Sequence, residues 1–177
     1  MVAKNCGLTL IELLTTLTLL VILTTTGIPA FTNLILDLRM TAHVNRFVHG
    51  IHLAKQAAHT SMTDVALCKS MDGRQCDRSL DWRDGWIVFV NRNRDHPPRV
   101  DPGEPVLEVS PPFASGNIGA NRAEFIFRPF TTRSTNGTLT FCDRRGTDRS
   151  RAVIVSYTGR PRVAPIAPGD QHVVCPD

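Results

Sequence analysis

Residues 8–31 are almost wholly apolar or Thr, with a single carboxylate at Glu12, and no other feature constrains the fold of this chain so strongly. A run of about 20 such residues spans a bilayer as a helix. Seven residues precede it, with Lys4 as their one charged side chain and Gly7 as the last. A secretory signal puts its small-residue cleavage site after the apolar core. Here the small residue comes first, so a cut after Gly7 leaves the anchor on the mature chain. Lys4 sets that end on the cytoplasmic side by the positive-inside rule. Glu12 is costly among lipid-facing side chains and reads as a functional residue with a partner. Its bland reading is a carboxylate held at headgroup level. Gly27 and Pro29 interrupt the helix toward the far membrane face, since Pro removes a backbone hydrogen bond. Thr24, Thr25 and Thr26 stand where they can satisfy freed carbonyls.

The expected organisation is therefore a leader over residues 1–7, a transmembrane helix over 8–31 and an exported domain over 32–177. The domain is long enough to bury one real core. Five cysteines become four once Cys6 leaves with the leader. Outside the cytoplasm, Cys68, Cys76, Cys142 and Cys175 imply two disulfides in one of three pairings. The short loop holding Asp72 and Gly73 favours Cys68–Cys76, and Cys142–Cys175 would then tie the tail to a strand. No Cys-x-x-Cys pair is present to suggest zinc.

Beyond Pro29 the helical period continues. Val44, Phe47, Val48, Ile51, Ala54 and Ala58 form one apolar stripe, with Arg39, Arg46, His49, His52, Lys55 and His59 on the remaining surface. The helix should reach about Ser61 and pack its second half on a sheet. Strands are expected near residues 65–68, 85–90, 106–109, 124–128, 139–142 and 152–157. Asn136-Gly137 is a type I′ hairpin signal between the 124–128 and 139–142 strands. A long helix followed by runs of strands is an α+β pattern with mostly antiparallel pairing.

These residues resemble a known family. Gly before the apolar run and Glu12 as its fifth residue are similar to the leader of type IV pilins and type II secretion pseudopilins. The sequences Asp84-Gly85-Trp86-Ile87-Val88-Phe89, Phe141-Cys142-Asp143-Arg144-Arg145-Gly146 and Tyr157-Thr158-Gly159-Arg160-Pro161-Arg162 narrow the resemblance to the GspH/FimT branch. The resemblance implies a pilin fold, a long helix carrying a sheet. It implies cleavage by a prepilin peptidase between Gly7 and Leu8. The partner of Glu12 would be the freed amine of a neighbouring subunit. It also implies a single-pass inner-membrane protein with a periplasmic domain, assembled with other major and minor pilins into a pilus at the cell surface. Leu8 departs from the usual Phe, and the Pro97-Pro98 loop is longer and more charged than the branch suggests.

Charge is uneven along the domain. Residues 122–162 carry nine Arg against Glu124, Asp143 and Asp148, a balance of +6, whereas residues 64–108 balance at −2. Seventeen of the twenty basic residues are Arg, which grips phosphate bidentately where Lys offers a point charge. That distribution suggests a polyanion, with DNA foremost. In DNA-uptake members of the branch a Gly-Arg-x-Arg element is implicated in DNA binding, and Gly159, Arg160 and Arg162 match it. Arg144 and Arg145 are candidates to extend the patch, although Asp143 stands ready to pair with one of them. The competing readings are solvated charges closing a hairpin, contacts to neighbouring pilins, or a GspH-type secretion pseudopilin that binds no DNA. The helix histidines have no carboxylate or Cys at ligand spacing, so no metal or cofactor is expected. No catalytic motif is present, so the expectation is a structural subunit, not an enzyme.

Overall fold

In the computed structural model the described residues are 9–130, 134–165 and 175. Gly7 and Leu8 lie outside them, and with them the expected cleavage point. The chain divides into two units, Met1–Leu38 and Arg39–Asp177. Helix α1, Leu10–Ser61, begins in the first and ends in the second.

In the first unit the large apolar side chains from Leu10 to Leu34 are exposed. Among the described residues α1 is the one helix long and apolar enough to cross a membrane. The Thr9 hydroxyl accepts from the Glu12 amide at 3.3 Å, so Glu12 also occupies the third position of a capped helix start, where a carboxylate suits the dipole. The expected interruption does not occur: α1 continues as one helix through Gly27 and Pro29, losing only the bond that a Pro29 amide would make. The Thr24, Thr25 and Thr26 hydroxyls bond the carbonyls of residues 20–22. The carbonyl that Pro29 leaves without its helical donor is that of Thr25. The threonines thus serve the turn before the proline, not the gap it makes.

In the second unit Met40, Val44, Phe47, Ile51, Ala54 and Ala58 of α1 are buried. They follow the expected stripe, with Val48 at its edge and Met40 extending it by a turn. Two four-stranded antiparallel sheets share this core. One runs in the order β3-β2-β1-β5, with β1 Asp64–Lys69, β2 Trp86–Asn91, β3 Val106–Ser110 and β5 Glu124–Phe127. The other runs β4-β6-β7-β8, with β4 Gly116–Ala120, β6 Gly137–Asp143, β7 Gly146–Val155 and β8 Pro161–Pro165. Phe47 meets the rings of Trp82, Trp86, Phe125 and Phe141 edge-on, with centroids 5.5–6.1 Å apart. Each such pair adds about 1 kcal/mol to the burial of the ring itself. Gly50 makes room for this packing. A Cβ there would stand 2.7 Å from the Trp86 ring.

Two expectations are corrected. Asn136-Gly137 does not close a hairpin, because β5 pairs with β1 in one sheet and β6 with β4 and β7 in the other. Gly137 is needed for space instead: a Cβ there would lie 2.7 Å from Arg122 Cγ. The tight turn is at Asp143-Arg144-Arg145-Gly146, where Gly146 has φ +81°. The last expected strand, 152–157, ends at Val155 and starts earlier, and residues 156–160 turn into β8.

Candidate nucleic-acid interface

The β7–β8 turn presents the Gly-Arg-Pro-Arg element. Strand pairing closes at Val155↔Pro161 and places Arg162 opposite Ile154. The Ser156 amide donates to the Arg160 carbonyl at 3.0 Å, and the Gly159 amide donates to the Ser156 carbonyl at 2.9 Å. The Ser156 hydroxyl accepts from the Arg160 amide at 3.2 Å. Gly159 has φ +66°, a region L side chains rarely adopt. A Cβ there would also meet Ser134 Oγ at 3.0 Å and the Phe127 ring at 3.2 Å. Gly159 is buried, and Arg160 and Arg162 on either side of Pro161 are exposed. No carboxylate lies within salt-bridge distance of either Arg among the described residues.

Two anchors hold this turn from outside the hairpin. Lys55 Nζ, on α1, donates to the Thr158 carbonyl at 2.8 Å. The Ser134 amide donates to the Tyr157 carbonyl at 2.7 Å. Neither was legible in the sequence, since Lys55 reads as part of a solvated helix flank. The Tyr157 ring, on the same turn, is exposed.

Arg144 and Arg145 are not brought to this turn. They sit at the β6–β7 end, with Asp143 paired to Gly146, while the Gly159 turn follows Val155 at the other end of β7. Nine steps of strand separate the two ends by about 30 Å. Arg145 is also committed locally. Its Nη2 lies 2.6 Å from Asp143 Oδ2, its backbone amide donates to Asp143 Oδ1 at 2.9 Å, and the Asp143 side chain is almost wholly buried. Burial alone would raise the Asp143 carboxyl, but the hydrogen bonds and charge of Arg145 outweigh it and hold the group below the ordinary carboxylate range. Arg144 remains exposed. The +6 balance is therefore spread over both sheets: Arg128, just past β5, faces Asp64 of β1 at 3.6 Å, Arg149 and Arg151 line β7, and Arg122 lies past β4.

Two disulfides brace the unit. Cys68–Cys76 closes eight residues across the loop with Asp72 and Gly73, and Cys142 on β6 joins Cys175, 33 residues on. Among the described residues no group of His, Cys, Asp and Glu is arranged to hold a metal.

Residues 43–159 match the family model described as type II transport protein GspH. The chain belongs to that family. No curated protein matches the chain. Among solved structures, two crystal forms of the type IV minor pilin FimU of Pseudomonas aeruginosa are similar to it, with TM-scores of 0.53 and 0.52. Each is 15% identical and covers 71% of this chain, and the alignments span 92% and 88% of the FimU chains. At that identity the likeness is one of fold, a long N-terminal helix packed on antiparallel sheets. The span matching the GspH model ends at Gly159, so membership in the family rests on the core and not on Arg160 or Arg162.

Proposed function

We propose that this chain is a membrane-anchored minor pilin that assembles with other pilins and holds DNA, without regard to sequence, at its β7–β8 turn. In this reading a prepilin peptidase removes residues 1–7 by cutting between Gly7 and Leu8. Residues 8–31 anchor the protein in the inner membrane, and Glu12 pairs with the N-terminus of a neighbouring subunit. Residues 32–177 then lie in the periplasm until the filament carries them to the cell surface, where DNA is taken up in natural transformation. The protein is a structural subunit and performs no catalysis.

The observation that carries the DNA reading is the pair Arg160 and Arg162. Both are exposed and without an acidic partner among the described residues, on a turn fixed by Gly159. Guanidinium groups on a rigid turn contact phosphate at the cost of ordering their side chains but not the backbone. Such contacts position without reading bases, so the expected binding is weak and salt-dependent. Arg145 stays committed to Asp143, and exposed Arg144 would make a second contact about 30 Å away. That span is roughly one helical turn of duplex.

A second reading is favoured by the description of the matching family. It is a GspH-type pseudopilin of type II secretion, with no DNA binding. Cells lacking the native gene and complemented with Arg160→Ala plus Arg162→Ala separate the two. The DNA reading expects normal pilus assembly and at least a tenfold loss of transformation. Lost export of folded enzymes on deletion, with transformation unchanged, would establish the secretion reading. Co-expression with a prepilin peptidase should shorten the chain by seven residues, and an unshifted mass would remove the leader from the account.

A further inference from the structure

Each sheet has two outer strands, and all but one of the four are guarded. β3 lies between Pro105 and Pro111 and is broken by a register shift at Val88/Phe89 of its neighbour. β8 carries Pro161 and Pro165 at its ends. β5 is covered where the Thr135 amide donates to the Ile126 carbonyl at 3.1 Å and the Thr135 hydroxyl accepts from the Ile126 amide at 3.1 Å. β4, Gly116-Asn117-Ile118-Gly119-Ala120, has no proline, bulge or charged side chain. Prolines, bulges, charges and a covering helix or loop are the usual protections against an added strand; β4 has only the 3-10 helix Trp82–Asp84 beside it, across an open cavity.

The register of β4 shows which backbone groups it offers. Its pairing with β6 runs Ile118↔Phe141 and Ala120↔Leu139, and the Asn121 amide donates to the Thr138 carbonyl at 3.3 Å. Bonded and non-bonded pairs alternate in an antiparallel ladder, so the N–H and C=O groups of Ile118 and Ala120 point away from β6. They meet no other backbone or side-chain partner among the described residues. What they face is a cavity of about 480 Å³ between β4 and the one-turn 3-10 helix Trp82–Asp84. Such a volume is in the range of true ligand sites.

The walls of that cavity are cationic. Lys69, Arg83 and Arg122 line it against the single carboxylate of Asp81. Each cation is held in place by a neutral oxygen: Lys69 Nζ on the carbonyls of Arg78 and Leu80, Arg83 on the Asn117 side chain, and Arg122 Nε on the Asn136 carbonyl at 2.8 Å. These bonds cancel none of their charge, and Asp77, outside the cavity, faces only Lys69 among them. Trp82 forms the floor and is fixed by its Nε1, which donates to the Arg122 carbonyl at 2.8 Å. Gly119 and Ala120 leave the edge low enough for another backbone to approach.

We infer that the β4 edge docks an extended acidic polypeptide segment, which adds as a strand to Ile118 and Ala120 and places carboxylates against Lys69, Arg83 and Arg122. This site lies apart from the Gly159 turn and does not depend on the DNA reading. Main-chain bonds supply affinity and the cations select the acidic partner.

The test uses the full chain in neutral detergent micelles and fluorescein-labelled decapeptides alternating Glu with Thr or Lys with Thr. Anisotropy should show saturable binding of the Glu/Thr peptide at low salt and at least tenfold weaker binding of the Lys/Thr peptide. Ala120→Pro removes an outward N–H without touching a β6 bond, which an edge strand tolerates, and should raise Kd tenfold or more. Ala120→Val keeps the N–H and should bind like the wild type. Arg122→Glu should also weaken the Glu/Thr peptide tenfold. Amide exchange at Ile118 and Ala120 should slow on adding the Glu/Thr peptide. Equal binding of both peptides, an unaffected Ala120→Pro, or no binding at all would overturn the inference. So would amides at 118 and 120 that are already protected in the free chain, because the edge would then be covered by the chain itself.

Discussion

Lys55 on the helix donates a 2.8 Å hydrogen bond to the Thr158 carbonyl, one residue before the glycine that shapes the arginine turn. The bond links the helix to the loop at a separation of 103 residues, so the position of Arg160 depends on a residue far away in sequence. Lys55→Met removes the donor and keeps the aliphatic stem. Because the pair is exposed, the cost in global stability should be at most about 1 kcal/mol. Amide exchange at Gly159 and Arg160 should nevertheless quicken severalfold, with the rest of β7 unchanged. Unchanged exchange would show the turn to be held by its own backbone bonds alone.

The Asp143–Arg145 pair fixes the opposite end of β7. Removing one partner of a buried pair leaves an uncompensated charge and costs about 3 kcal/mol. Asp143→Asn should therefore lower the denaturant midpoint of the domain while leaving Arg160 and Arg162 free to bind. The wild-type carboxyl is depressed in the folded state, so its stabilisation is complete above the ordinary Asp value of about 3.9. It is lost as pH falls through the lower folded value. The midpoints of wild type and Asp143→Asn should converge as acid protonates the folded carboxyl, below the ordinary Asp range, and a gap that stays constant on acidification would remove the ion pair as its cause.

Glu108 presents the reverse case. Burial pushes its carboxyl up, only partly offset by the charges of His49 and Arg46 on α1. Its Oε2 is buried without a hydrogen-bond partner among the described residues. A raised acid binds its proton more tightly when folded, so stability falls as pH rises from the ordinary Glu range through the raised value. Glu108→Gln should raise the melting temperature at pH 7.5 and leave it nearly unchanged at pH 4. An equal effect at both pH values would rule out ionisation of Glu108 as the cause.

The two disulfides close loops of different length and should differ in worth. The chain-entropy estimate gives roughly 2.5 kcal/mol for the eight-residue Cys68–Cys76 loop and about 3.7 kcal/mol for the 33-residue Cys142–Cys175 loop. Cys142→Ala with Cys175→Ala should cost more in urea unfolding than Cys68→Ala with Cys76→Ala. Peptide mapping that joins Cys68 to Cys142 would contradict the pairing outright.

Much of the fold was legible because its signals are periodic or local. The stripe from Val44 to Ala58 predicted the buried face of α1, since a 3.6-residue period needs nothing beyond the helix itself. The 136–137 hairpin was misread because Asn-Gly scores as a turn whatever sheet the flanking strands join. Sheet membership is decided by long-range packing, here by Phe125 against Phe47 of α1. β4 escaped notice altogether, as Gly-Asn-Ile-Gly-Ala carries almost no strand propensity and is held by pairing with β6. In the candidate site, Gly159, Arg160 and Arg162 were visible in sequence because they form a short contiguous motif. The 30 Å between Arg145 and Arg160 was not, because a count of charges carries no register. Lys55 and Ser134 were equally hidden, being brought to the turn only by tertiary structure.

The central claim is that Arg160 and Arg162 hold DNA by its phosphates. The measurement that tests it most directly is the salt dependence of DNA binding by the full chain in neutral detergent, followed by anisotropy on several unrelated labelled duplexes. Wild type should bind all of them alike, with log affinity falling linearly in log salt. Arg160→Ala with Arg162→Ala should reduce that slope by about 2 and the affinity at low salt by at least tenfold, with the melting temperature unchanged. A double variant that binds with the wild-type slope, or a wild-type chain that binds no duplex at low salt, would contradict the account.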